Sequence, residues 1–254
     1  MVSISRKYNT PLKRVLEVLP QVYQITLGGA NIVLIAEKEM TLVDTGFPGG
    51  SAQVVDLINR LGRSAEEIGL IILTHNHFDH AGGLLDLKKL SRAKVAGHRA
   101  DFNSGDGPLP YPGMVQKLLR LRPFSALRWA FSLKPDAIDT VLAGGEVLSP
   151  LGGLEVIHTP GHTPGSISLY SPARKLLIAG DALNKRRDIL RLPPKMASTD
   201  LTQAIDSVEK IAGLDFDTLC LGHGRPLTVD VHARLRELME KNRRLTMSAR
   251  TGYH

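Results

Sequence analysis

The sequence predicts an α/β fold, a sandwich of two mixed β-sheets with helices on the outside. Three observations predict it. Apolar runs of strand length recur along the chain, they group into two halves with a similar order of elements, and each half mixes strands with helices. No linker long enough to part the halves lies between them. At 254 residues the chain can build one large domain with a full core or two small ones, and the missing linker points to a single domain over 1–254.

In the first half, Gln21–Leu27 and Ile32–Ala36 are predicted strands joined through the turn Gly28-Gly29-Ala30-Asn31. Met40–Val43 is a third strand, ending in Asp44-Thr45-Gly46. Pro48 stands where a helix can start, and Val54, Val55, Leu57, Ile58 and Leu61 keep helical spacing up to Gly62. A buried strand at Ile68–Leu73, a short helix over Leu84–Leu90 and a strand at Lys94–Ala96 follow.

Residues 101–136 interrupt this rhythm. Gly105, Gly107, Pro108, Pro110, Pro112 and Gly113 make a loop, and Met114–Leu133 then alternates basic with bulky apolar residues around Pro123. Two short amphipathic helices are expected there, as a helical insertion. They serve either as a pair packed on the core or as a lid or homodimer contact, the latter through the Phe124–Phe131 face.

The second half offers strands at Thr140–Leu142, Leu154–His158, Ile167–Tyr170, Leu176–Ile178 and Asp217–Leu221. A helix over Leu201–Ala212 has Asp200 as its N-cap and Gly213 as its C-cap, and Val231–Arg244 forms the last amphipathic helix.

Composition narrows the class. Lys plus Arg exceed Asp plus Glu by 32 − 25, giving +7, and the basic residues gather at Lys117–Lys134, Lys185–Arg191 and Arg234–Arg250. None of these clusters has the interleaved aromatics of a single-strand binding platform, so a small-molecule substrate is expected rather than a nucleic acid. No apolar run approaches the roughly 18 residues of a membrane span. Met1–Pro20 carries Arg6, Lys7, Lys13, Arg14 and Glu17 without a signal-peptide apolar region, which makes the cytoplasm the expected compartment. The single cysteine, Cys220, excludes an internal disulfide and a multi-cysteine zinc site, and reads as a small core residue of a strand.

The chemistry concentrates after the Ile68–Leu73 strand, where Thr-His-Asn-His-Phe-Asp-His-Ala-Gly-Gly packs His75, His77, Asp79 and His80 into six positions. Such a cluster is costly in a dry core and pointless on a solvated face, whereas imidazole nitrogen and carboxylate oxygen are the usual donors for Zn²⁺ and neighbouring first-row metals. Three more polar residues stand just past strands: His162, Asp181 and His223, each flanked by glycine or proline that lets the backbone turn sharply. The full set supplies five histidines and two aspartates, enough for two metals with three ligands each and one shared carboxylate.

His75-x-His77-x-Asp79-His80 with Gly82-Gly83, followed by His162, Asp181 and His223, resembles the metallo-β-lactamase superfamily. The Val43-Asp44-Thr45-Gly46 and Thr159–Gly165 segments match it as well, and the likeness runs from about residue 20 to 235. The resemblance implies a four-layer αββα sandwich. It implies that His75, His77 and His162 bind one metal, that Asp79, His80 and His223 bind a second, and that Asp181 bridges them. Asp44 is expected either to orient a ligand or to serve as a turn residue before Gly46. The donor set accepts Zn²⁺, the leading expectation, or Fe, Mn or Co.

Two divalent ions lower the pKa of a shared water and yield a bridging hydroxide near neutral pH, ready to attack a carbonyl or phosphoryl centre. Asp79 is also the candidate catalytic residue, orienting that nucleophile or taking its proton. Asp181 stands where one major class of true β-lactamase has a cysteine. Glyoxalase II is similar in ligand set but appends a helical domain, for which 254 − 223 leaves only 31 residues. Quorum-quenching lactonases are similar in ligand set and size; many carry a tyrosine three residues beyond the bridging aspartate, where Asn184 stands here. The expected activity is hydrolysis of small carboxyl esters, lactones or thioesters. The alternatives are a phosphodiesterase or nuclease, suggested by Lys185-Arg186-Arg187, and an iron-dependent oxidoreductase of the same fold.

Overall fold

Four residues of one strand show how the layers arise. In β3 (Ala30–Ile35), Ile32 and Leu34 face a core on one side of the sheet, while Val33 and Ile35 face another on the opposite side. Successive strand side chains alternate in direction, so a strand with four apolar residues in a row must be covered on both faces. The structure is a computed structural model that describes residues 15–102, 117 and 137–251, the last seven as backbone alone.

The first sheet runs in chain order: β1 (Val15–Leu19), β2 (Val22–Leu27), β3, β4 (Met40–Val43), β5 (Ile68–Ile72), β6 (Lys94–His98) and β7 (Thr140–Leu142). Neighbours are antiparallel from β1 to β4 and parallel from β4 to β7. The second sheet has β8 (Val147–Leu148), β9 (Leu154–His158), β10 (Ile167–Ser171) and β11 (Leu176–Ile178), antiparallel in turn. Parallel to β11 lies β14 (Thr218–Cys220). A separate hairpin pairs β12 (Asn184–Arg186) with β13 (Ile189–Arg191).

Three apolar cores separate four layers. Val33, Ile35, Ile72, Leu169, Ile178 and Cys220 meet between the sheets. Outside the first sheet, Leu34 and Ile71 pack under α1 (Ser51–Arg60) and α3 (Leu84–Ser91) through Val54, Leu57, Ile58, Leu84 and Leu87. Outside the second, Leu177 and Leu219 meet Val208 and Ile211 of α4 (Leu201–Ala212) and Leu235 of α5 (Val231–Thr251). Each fully buried Leu or Ile stabilises this arrangement by about 1.5–3 kcal/mol. The expected αββα sandwich is the observed fold. Among the described residues no helix is long and apolar enough to cross a membrane.

Several expectations meet adjustments. The first helix starts at Ser51 behind Gly50, not at Pro48, because Phe47–Gly50 first closes a turn through Gly50 N and Phe47 O, 3.0 Å apart. Asp200 caps α4 as expected, its Oδ1 accepting from the amides of Thr202 and Gln203 at 2.9 and 3.1 Å. β1 and the β12–β13 hairpin were not expected as strands. On α5, His232 is half-buried with its ring 5.0 Å from that of Phe216. The helical pair expected over 101–136 and its Phe124–Phe131 face lie outside the described residues, apart from Asp101, Phe102 and Lys117.

Candidate metal centre

Parallel strands bring their carboxyl ends to one rim of a sheet, and this rim holds the polar residues of the sequence. Asp44 follows β4, Thr74–His80 follow β5, and Asp101 follows β6; from the other sheet come His162 between β9 and β10, Asp181 after β11, and His223 after β14. A single helical turn, α2 (Phe78–Ala81), begins behind His77 and swings Asp79 and His80 back toward the rim. The His80 carbonyl accepts from Thr45 N at 2.6 Å and from the Thr45 hydroxyl at 2.9 Å, which pins this turn to the end of β4.

All seven expected donors converge. His162 Nε2 lies 3.0 Å from His77 Nδ1 and 3.3 Å from Asp181 Oδ2. His80 Nε2 lies 3.4 Å from Asp181 Oδ1, 3.5 Å from His223 Nε2 and 3.8 Å from Asp79 Oδ2. His223 Nε2 stands 3.2 Å from Asp181 Oδ2 and 3.5 Å from Asp79 Oδ2. Three groups have donor atoms within 4.8 Å of one another: His75, His77 and His162; His75, His80 and Asp181; and Asp79, His80 and His223. The Asp181 carboxylate reaches both ends of the cluster. Gly222 makes room for it, since a Cβ there would collide with Asp181 Oδ1.

Hydrogen bonds behind the histidines set their tautomers. The Thr74 hydroxyl donates to Asp44 Oδ2 at 2.8 Å, so its oxygen accepts from His75 Nδ1 at 3.0 Å and leaves His75 Nε2 as a bare lone pair. His80 Nδ1 donates to Asp44 Oδ2 at 2.8 Å, and His223 Nδ1 donates to the Gly29 carbonyl at 3.0 Å. In each case Nε2 points inward, as a metal ligand requires. Asp44 holds this position in the left-handed backbone region, φ 62°. Aspartate tolerates that region better than most residues.

Electrostatics divides the site. Burial, reinforced by the neighbouring imidazoles, pushes His75 well below the usual histidine range; burial likewise lowers His162 to about 3, against the pull of Asp181. Both are therefore neutral, the ligating form, at pH 7. Burial also opposes charge on His80, but Asp181, Asp44 and Asp79 together raise it to about 9. A cation entering the site must displace that proton. Burial opposes the charge on Asp181 too, yet His80, His223 and His162 hold its carboxyl well below the usual range.

His75 Nε2 and Asp181 Oδ1 are buried without a hydrogen-bond partner among the described residues. Leaving such atoms bare costs about 1–3 kcal/mol each. Unpaired lone pairs facing one another, in an all-nitrogen and carboxylate set, fit a first-row divalent cation.

Sequence reasoning passed over Asp101, which stood as the first residue of the expected insertion. Its Oδ2 accepts from Asn76 N at 2.9 Å and from the Thr163 hydroxyl at 2.7 Å, and its Oδ1 accepts from Gly165 N at 2.6 Å. It thereby ties the His75–His77 loop to the His162 loop. Its place just past a strand, like the seven donors, was the available signal. His98 and His158 stack with ring centroids 4.1 Å apart; His98 Nδ1 accepts from Ala100 N and His158 Nε2 donates to the Pro164 carbonyl. Ser166 stands immediately before β10 and bonds Thr163, away from any nucleophilic arrangement.

The family model of the metallo-beta-lactamase superfamily matches residues 25–223, a stretch that holds all seven donors. The chain belongs to the metallo-β-lactamase superfamily. It is thus a metal-dependent hydrolase whose clustered histidines and aspartates suit divalent cations. It is similar to a probable metallo-hydrolase, YflN, of Bacillus subtilis (strain 168), 30% identical over 230 residues that cover 82% of this chain and 85% of the relative. A hydroxyacylglutathione hydrolase, GloC, of Haemophilus influenzae is 28% identical over 228 residues, covering 86% and 95%. Among solved structures, a metallo-β-lactamase family protein of Thermus thermophilus superposes with a TM-score of 0.68 at 26% identity, over 89% of this chain and 80% of that one.

Proposed function

We propose that the chain hydrolyses small carboxyl esters, lactones or thioesters with two divalent cations, of which zinc suits the donors best. The observation that carries this reading is the placement of Asp181 between two groups of donors, His75, His77 and His162 on one side and Asp79, His80 and His223 on the other. The likeness to a hydroxyacylglutathione hydrolase supports the thioester member of the class.

Cations held in such a site supply Lewis acidity, which polarises a carbonyl and makes a nucleophile of water at neutral pH. The chain's own residues do the rest. Asp44, Thr74 and Gly29 hold the imidazoles in the ligating tautomer, so little reorganisation accompanies the reaction. Asp79 has its side chain 17% exposed and His223 34%, whereas the other five donors are 6% exposed or less. The site therefore opens on the Asp79–His223 side. Asp79, at that mouth, would orient an incoming water and take its proton. Asn184, three residues beyond Asp181, can donate an amide hydrogen to a substrate carbonyl.

Elemental analysis of protein purified without chelator, followed by turnover of an acyl-homoserine lactone, an aryl ester and lactoylglutathione, tests the proposal. Two equivalents of metal and chelator-sensitive turnover of one of the three are expected. A single equivalent, or no hydrolysis of any of them by the metal-loaded chain, overturns it.

A further inference from the structure

The β12–β13 hairpin starts three residues after Asp181 and is held against the other wall of the mouth. Lys185 N donates to the His223 carbonyl at 3.2 Å, and a Cβ on Gly224 would run into the Lys185 backbone. Its antiparallel register pairs Asn184 with Arg191 and Arg186 with Ile189, so these four side chains share one face of the ribbon. Lys185 and Leu190 lie on the opposite face, where Leu190 enters the outer core. Arg186, Arg187 and Arg191 are exposed, and so is Arg225, two residues past His223.

None of these four arginines has a carboxylate partner among the described residues. The nearest acid in sequence, Asp188, lies 3.7 Å from Lys185 Nζ and is 92% exposed. Four unpaired guanidinium groups beside the open end of a hydrolytic site repel one another and attract anions. A solvated face needs no such concentration of one sign. Guanidinium forks match the oxygens of phosphate and carboxylate groups.

Resting on the hydrolase reading above, we infer that this hairpin and Arg225 form a subsite for the anionic thiol half of a thioester. The acyl carbon would sit at the metal centre. Water adds across the acyl C–S bond: a C–O bond forms, the C–S bond breaks, and the proton passes to the departing sulfur. The released thiol keeps its phosphates or carboxylates over Arg186 and Arg191.

The test compares one acyl group carried by coenzyme A, by glutathione and by uncharged pantetheine, on the zinc-loaded full chain. The KM for one of the anionic thioesters is expected to be at least about tenfold below that for the pantetheine ester, and 0.5 M salt should shrink the ratio. In the R186A/R191A double variant the ratio should fall to about one. Preference for coenzyme A marks phosphate as the recognised group; preference for glutathione marks carboxylate. A wild-type ratio near one, or a ratio unchanged in the variant, overturns the subsite. Calorimetric binding of free coenzyme A and glutathione separates the two readings. Binding that needs the arginines, without turnover of any thioester, keeps the anion subsite and removes the thioester as the substrate. Pantetheine-ester turnover with neither thiol bound does the reverse.

Discussion

Asp44 Oδ2 lies 2.8 Å from His80 Nδ1, and the same oxygen accepts from the Thr74 hydroxyl that in turn faces His75. One carboxylate thus sets the tautomers of two histidines on the same loop. Asn at position 44 offers one acceptor oxygen in place of two, so it cannot hold both Thr74 N and this pair of contacts. Asp44→Asn is expected to lower metal affinity by about 10- to 100-fold, as lost outer contacts to ligands generally do. Chelator competition on the purified variant measures it; unchanged affinity would show that the histidines keep their tautomers without Asp44.

Removing the shared carboxylate should be more damaging to turnover. Asp181→Ala is expected to reduce kcat/KM at least about a hundredfold, equivalent to roughly 2.7 kcal/mol of transition-state stabilisation, and to lower the metal content below that of the parent. Gly222→Ala should reproduce much of this loss, because the added methyl occupies the place of Asp181 Oδ1. Steady-state kinetics with metal quantification on both variants is the check, and full activity in either contradicts the arrangement.

Metal uptake should depend on pH with a definite sign. His80 is held at about 9 in the metal-free chain, so at pH 7 it carries a proton that a cation must displace. Affinity is expected to rise with pH toward about 9, with proton release seen in weakly buffered titrations. The metal-free fold behaves oppositely. A histidine raised above its unfolded value of about 6.5 contributes stability that is whole below that pH and is lost as pH climbs through about 9. Melting of chelator-treated protein should therefore decline across that window, and the decline should flatten in His80→Gln.

Asp101 accepts three hydrogen bonds while buried, and burial raises its carboxyl to about 6. An amide in its place must turn an NH₂ toward one of those donors. Asp101→Asn is expected to destabilise the fold by about 1–3 kcal/mol, measured by urea unfolding. Because the folded-state value is raised, Asp101's linkage term is fully present below about 3.8 and fades as pH rises through 6. The variant should lose that slope; an identical pH profile contradicts a buried, titrating Asp101.

How far the sequence reaches is plain from particular residues. Strands such as Ile32–Ile35 were legible because they are apolar at successive positions, and the seven donors because each stands just past such a run. β1 was not, since Val15–Leu19 is a half-exposed edge strand with Glu17 in its middle. Nor was the Asn184–Arg191 hairpin, whose three-residue strands are mostly charged and carry little apolar alternation. Asp101 was hidden for another reason: its three donors come from residues 25 to 64 positions away, a relationship that only tertiary packing creates.

Four donors hang from the loop after β5, and three hang from the opposite sheet. An ion bound among them adds a staple between two slabs already joined by side-chain packing and by hydrogen bonds such as Ile167 N to the Thr74 carbonyl, 2.9 Å. Occupancy then becomes visible as heat resistance, growing with the logarithm of free cation above its dissociation constant. Melting curves alone can rank candidate metals before any substrate is known.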